Sequence, residues 1–136
     1  TEAAINHAIE LGIRDITVYG GIGGRLDHTF GNVGLLEKYL DKLDHLEFMD
    51  EKNSMQLLDG ESCSTTILTP ISNYRFFSLV SLDSAADGIS ITGAKYNLDN
   101  ASISRASTLC ISNEIILNQA HISVHRGKVL LVRSAD

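Results

Sequence analysis

The stretch DITVYGGIGGRLDHTFGNVGLLEKYLDKL, residues 15–43, decides how the chain is read. It opens on Ile16-Thr17-Val18-Tyr19, a β-branched and aromatic run that predicts a buried strand. Gly20, Gly21, Gly23 and Gly24 follow at once, then Arg25, Asp27 and His28. Leu26, Phe30, Val33, Leu36, Leu40 and Leu43 recur at steps of three and four, which predicts an amphipathic helix over 27–42. Strand, glycine turn, charged cluster and helix, in that order, form the kind of junction at which open α/β sheets bind ligands.

Each residue type there has a chemical reason. Glycine admits positive φ and lets backbone N–H groups approach a ligand closely. A helix N-terminus offers unpaired N–H donors and the positive end of the dipole, which suits phosphate. Arg25 adds a planar fork that takes two phosphate oxygens together. Asp27 would repel a phosphate unless a divalent cation, or a proton leaving a nucleophile, lies between. Gly21, Gly23, Gly24 and Arg25 are thus candidate phosphate-binding residues, with Arg25 and Asp27 as candidate catalytic groups. The same spacing also suits a plainer arrangement: Asp27 caps the helix, the glycines only turn the chain, and Arg25 pairs with Asp27. Spacing alone does not choose.

Upstream, Ala4, Ile5, Ala8, Ile9 and Leu11 give residues 2–11 one apolar helical face, closed by Gly12. Downstream, 46–50 and 54–60 read as short strands around the polar turn Glu51-Lys52-Asn53. Asp59-Gly60 ends the helical periodicity. Beyond it come closely spaced strands at 62–69, 74–82, 88–93 and 101–105, with breaks expected at Pro70, Ser84–Gly88 and Asn97–Asn100. Residues 115–117 form a further extended run. Ala120, Ile122 and Val124 alternate with His121, Ser123 and His125, so one face of that strand is apolar. Arg126-Gly127 turns the chain into 128–133, which is apolar on both faces. The fold class expected is α/β plus all-β. Residues 1–60 would be the C-terminal part of a Rossmann-like parallel-sheet domain, and residues 61–136 a β-sandwich of jelly-roll type.

Composition narrows the function. Of the 136 residues 43% are apolar, which suits a packed protein, and no segment approaches the ~20 apolar residues of a membrane span. A net charge of −6 argues against a general nucleic-acid surface, though not against one local anion site. Cys63 and Cys110 lack metal-ligand spacing and read as reduced thiols, so a cytoplasmic location is expected. His7, His28 and His45 are scattered. His121 and His125 would share a strand face about 13 Å apart, too far for one zinc ion. Ser112 and Asn113, in a loop of small polar residues, read most simply as bonding to nearby backbone.

Four ordered segments carry a family resemblance: GGRLDHTFGNVGLLEKY at 23–39, KYNLDNASI at 95–103, STLCISNE at 107–114 and RGKVLLVRS at 126–134. Together they resemble bacterial thiamin pyrophosphokinases, whose GGRxDH signature closes the nucleotide domain. The resemblance implies diphosphate transfer from ATP to thiamin, giving thiamin diphosphate and AMP, with Mg2+ as the metal. It implies a homodimer joined through the β-domain, and thiamin contacts from Asp27, His28, Ser112 and Asn113. Cys110 stands where that family commonly has glycine, and Asn97 where it has proline. Metal-binding aspartates are expected upstream of Thr1, in a KDxTDxE-like segment of which Thr1-Glu2 is the tail. The chain is therefore expected to be a fragment, inactive alone. Two other readings remain: a non-catalytic thiamin- or phosphate-binding and dimerisation module, and an unrelated phosphate-binding α/β protein.

Overall fold

A computed structural model describes residues 1–62, 64–71 and 73–136. Cys63 lies outside them, and so does its expected reduced state. The chain separates into two compact units, Thr1–Leu57 and Leu58–Asp136.

The first unit holds α1 (Glu2–Glu10), β1 (Asp15–Tyr19), α2 (Leu26–Lys38), β2 (His45–Met49) and most of β3 (Asn53–Asp59). β1 and β2 run parallel, with Ile16 opposite Leu46 and Tyr19 opposite Met49, and α2 is their crossover. β3 returns antiparallel, Phe48 facing Met55. The parallel pair arises because helix and strand periods alternate within a short span, which only a βαβ connection satisfies. The core is Ile5, Leu36, Tyr39, Leu46, Phe48 and Met55.

α2 ends at Lys38, short of the residue 42 expected from the leucine stripe. Tyr39 explains this. Its ring is buried and its hydroxyl donates to Asn6 Oδ1 at 2.5 Å, tying α2 to α1. Its carbonyl accepts the N–H groups of Lys42 and Leu43, so the chain turns there. Asp44 and His45 then donate to the Arg14 carbonyl, which starts β2 beside β1.

The second unit is built from β4 (Thr65–Leu68), β5 (Phe76–Ser81), β6 (Ala85–Thr92), β7 (Leu98–Ser104), β8 (Asn113–Glu114), β9 (Ala120–Ser123) and β10 (Lys128–Ser134). Its strands form an antiparallel β10-β5-β8 array and a four-stranded antiparallel sheet in the order β4-β9-β6-β7. Phe77, Leu79, Val129 and Leu131 from the first array share one core with Ile89, Ile91, Ile103 and Ile122 from the second. That is a sandwich. The apolar alternation of β9 is buried as expected, and β10 buries Val129, Leu130 and Leu131 in succession.

Three expectations fail here. The break at Ser84–Gly88 is strand: Gly88, at φ 66°, makes a bulge inside β6, and a Cβ there would meet His125 at 2.6 Å. Such a bulge keeps Ala86 and Ile89 on the core side across a register shift. The break at 97–100 is also largely strand, with Asn100 at φ 47° absorbing the irregularity. Conversely, the extended run at 115–117 stops at Ile115, which bridges Ala94. Ile116 and Leu117 then fold over the Gly93 carbonyl, which accepts an N–H from each.

Candidate functional site

The glycine turn leaves β1 with Gly20 still paired to the neighbouring strand, its N–H donating to the Met49 carbonyl at 2.9 Å. Gly20, Gly23 and Gly24 have φ of 82°, 83° and 66°, where a side chain would strain the backbone. Gly21 is required for a different reason: a Cβ there would lie 2.4 Å from Phe48 Cδ1. The turn packs directly on the core of its own unit.

Two α2 side chains brace it. Thr29 Oγ1 accepts the Gly23 N–H at 3.1 Å, and Asn32 Nδ2 donates to the Gly21 carbonyl at 2.7 Å. Residues 29 and 32 are one helical turn apart and so share a face. Sequence reasoning missed both. The available signal was a Thr and an Asn on the same face of α2 as Leu36, where such side chains weaken the helix unless they bond elsewhere.

α2 begins at Leu26 with Arg25 as its N-cap, and the Arg25 side chain makes no capping hydrogen bond. Gly20, Gly21, Gly23, Arg25, His28 and Asn32, with Thr1, line a recess of 260 Å³ at this helix start. The positive dipole end of α2 and Arg25 therefore border one concavity, an arrangement that would suit an anion. Gly24 belongs to the turn without lining the recess.

Asp27 does not line it either. Its carboxylate takes the Arg25 fork in bidentate fashion, with Nε–Oδ1 at 3.1 Å and Nη2–Oδ2 at 2.5 Å. Both side chains are exposed, 73% and 63%. The Arg25 guanidinium holds the Asp27 carboxyl below its ordinary range, against a smaller opposing effect of desolvation. So the plainer pairing anticipated from the sequence exists, and one of its members, Arg25, also lines the recess. A carboxylate so stabilised is a poor base while paired, but it fixes the guanidinium plane.

In the second unit, Asn113 is 2% exposed and its amide is fully engaged. Oδ1 accepts the N–H groups of Tyr96 and Glu114, at 3.0 and 2.9 Å, and Nδ2 donates to the Tyr96 carbonyl at 2.8 Å. This locks the 94–97 turn against β8 and leaves the Tyr96 ring exposed. Ser112, exposed, sits at φ 60° and donates its N–H to Ser78 Oγ. Burial pushes the Cys110 thiol up. Near His121 a recess of 610 Å³ is lined by Thr92, Gly93, Gln119 and the exposed Ile116 and Leu117. Among the described residues no three His, Cys, Asp or Glu side chains converge as a metal site.

Two family patterns match the chain in order. The one described as "Thiamin pyrophosphokinase, catalytic domain" covers residues 1–48, and "Thiamin pyrophosphokinase, vitamin B1 binding domain" covers 64–129. The thiamine pyrophosphokinase of Bacillus subtilis is 31% identical over 99% of this chain and 62% of its own length. Its crystal structure superposes with a TM-score of 0.90, covering 98% of this chain and 62% of that one. The thiamin pyrophosphokinase structure from Geobacillus thermodenitrificans is 38% identical, with a TM-score of 0.87, covering 99% and 60%. The chain thus spans about three-fifths of the length of these relatives.

Proposed function

The chain belongs to the thiamin pyrophosphokinase family, and from that premise we propose that its complete gene product transfers diphosphate from ATP to thiamin, releasing AMP. The observation that carries this reading is the recess at the start of α2, where Arg25, the glycine turn and the helix N-terminus meet. ATP places its phosphates there. The alcohol of thiamin attacks the β-phosphorus, and AMP leaves with the bridging oxygen. Charge builds on the phosphoryl oxygens in that step, and the Arg25 guanidinium, positioned beforehand by Asp27, meets it. Asp27 orients Arg25 first; when ligand draws the guanidinium away, its carboxylate can take the alcohol's hydrogen bond. His28, at the same recess, contacts the acceptor.

Magnesium enters on the nucleotide. The described residues offer no cluster of three metal ligands and so do not form a cage for it. Mg2+ in such reactions keeps several waters and takes its remaining ligands from phosphates and one or two carboxylates.

The β-unit takes thiamin, with Ser112 at the pocket and Asn113 acting through the turn that it holds. It also forms the homodimer. Ile67, Ile116 and Leu117 are 54%, 61% and 65% exposed, and Ile67 is the cross-strand partner of His121 beside the recess that the other two line. A partner copy covering them removes an exposed apolar patch from water. The location is cytoplasmic. No helix among the described residues is long and apolar enough to cross a membrane.

The test mixes the complete gene product with ATP, Mg2+ and thiamin and measures AMP and thiamin diphosphate by mass spectrometry. Equimolar products are expected. A second reading is a non-catalytic thiamin- or phosphate-binding dimerisation module. It predicts ligand binding with neither product.

A further inference from the structure

Thr29 and Asn32 take no part in the reaction as outlined, yet each is bonded to a residue that lines the recess at the start of α2. They stand one helical turn apart and reach the glycine turn at two points, Gly23 and Gly21. The Thr29 hydroxyl is a clip. Its Oγ1 accepts the Gly23 N–H at 3.1 Å and donates to the Arg25 carbonyl at 3.4 Å, so one atom joins the glycine turn to the N-cap residue. The Thr29 N–H goes to that same carbonyl at 3.3 Å, which keeps the hydroxyl in register with the first turn of α2.

Asn32 acts on the other side of Ile22. Gly21 is pressed from two directions, because a Cβ there would meet Phe48 Cδ1 at 2.4 Å and Asn32 Nδ2 at 3.1 Å. Glycine lets the peptide that follows it rotate at little cost, so packing alone does not decide which way the Gly21 carbonyl faces. The bond from Asn32 Nδ2, 2.7 Å long, decides it. With the carbonyl held on that amide, the Ile22 N–H across the same trans peptide points the opposite way. A carbonyl released from the amide could swing its partial negative charge toward a phosphate and repel it. Asn32 lines the recess together with Gly21, Gly23 and Arg25, so the bond is made at the wall of the recess itself.

We propose that Thr29 and Asn32 are positioning residues for the nucleotide, holding the glycine turn in the shape that receives its phosphates. This rests on the ATP reading given above. Neither side chain needs to touch the reacting atoms. Losing either weakens the hold on ATP and leaves the binding of the acceptor alcohol as it was.

Steady-state kinetics of the complete gene product test it on Thr29→Val, Thr29→Ser and Asn32→Asp, with ATP and thiamin varied separately. Thr29→Val keeps the shape and loses the hydroxyl, and should raise the KM for ATP at least about fivefold, as for one lost hydrogen bond. Thr29→Ser keeps the hydroxyl and should stay within about twofold of the wild type. Asn32→Asp sets a carboxylate against the Gly21 carbonyl and beside the phosphates, and should raise the KM for ATP at least about tenfold. The KM for thiamin should hold in all three. KM does not depend on how much of the enzyme is folded, so a general loss of stability does not imitate this pattern. The proposal is overturned, with the ATP reading intact, by a KM for ATP that is unchanged or lower in Thr29→Val or Asn32→Asp. An equal rise in Thr29→Ser, or a parallel rise in the KM for thiamin, overturns it as well. A wild type that forms no AMP overturns both readings.

Discussion

The two units solve opposite problems. In Thr1–Leu57 the burial is thin: β1 alternates exposed and half-buried residues, and Tyr19, Leu26 and Phe30 are 76%, 69% and 70% exposed around the glycine turn. In Leu58–Asp136 two antiparallel sheets close over one continuous core, with Ala86, Ile89, Ala120, Ile122 and Val129 fully sequestered. The unit that carries the recess at the start of α2 invests in backbone geometry, through positive-φ glycines and a turn braced by Thr29 and Asn32. The other invests in packing. Substitutions should therefore act on function in the first and on stability in the second.

The largest expected effect tests the packing side. Phe77, 1% exposed and shared by both sheets' core, should lose about 3–5 kcal/mol of stability as Phe77→Ala, read by urea denaturation. A loss below 1 kcal/mol would erase the contrast between the units. Next comes Asn113→Ala, which strands the Tyr96 N–H and carbonyl in a closed turn. It should cost about 1–3 kcal/mol, with Asn113→Asp retaining part of the loss because only the acceptor role survives.

On the functional side, Arg25→Lys and Asp27→Asn should each lower turnover of the complete gene product by at least about tenfold while leaving the denaturation midpoint almost unchanged. Turnover unchanged from the wild type in both variants would detach the turn from the chemistry. The smallest effect is a titration. Because Arg25 lowers the Asp27 pKa, the pair is intact above the ordinary carboxylate range and is lost as pH falls through the depressed value. Carboxyl-carbon NMR should place the Asp27 midpoint below that of an isolated aspartate, and Arg25→Gln should bring it back up.

The sequence made the functional side easier to read than the stabilising one. Glycines, Arg25 and the onset of α2 are local signals: a run of positive-φ residues between a strand and a helix has few other uses. β9 and β10 were equally plain, since period-two alternation and a short continuous apolar run are local too. What escaped were features that depend on residues far apart in the chain. Gly88 looks like a loop residue, and only the pairing of β6 with β7, residues well beyond it in the chain, makes it a bulge. Asn113 looks like a loop amide, and its partners sit 17 residues away at Tyr96. Tyr39 ends α2 because Asn6, in another helix, takes its hydroxyl. Non-local contacts decide where elements stop, while local chemistry marks where they begin.

The central claim is that the turn at Gly20–Arg25 receives the phosphates of a nucleotide, and a titration of the 15N-labelled 136-residue chain with ATP tests it most directly. Amide shifts should centre on Gly20, Gly21, Gly23, Gly24 and the first turn of α2, and should vanish in Arg25→Ala. Shifts centred elsewhere, or unchanged in that variant, would contradict it.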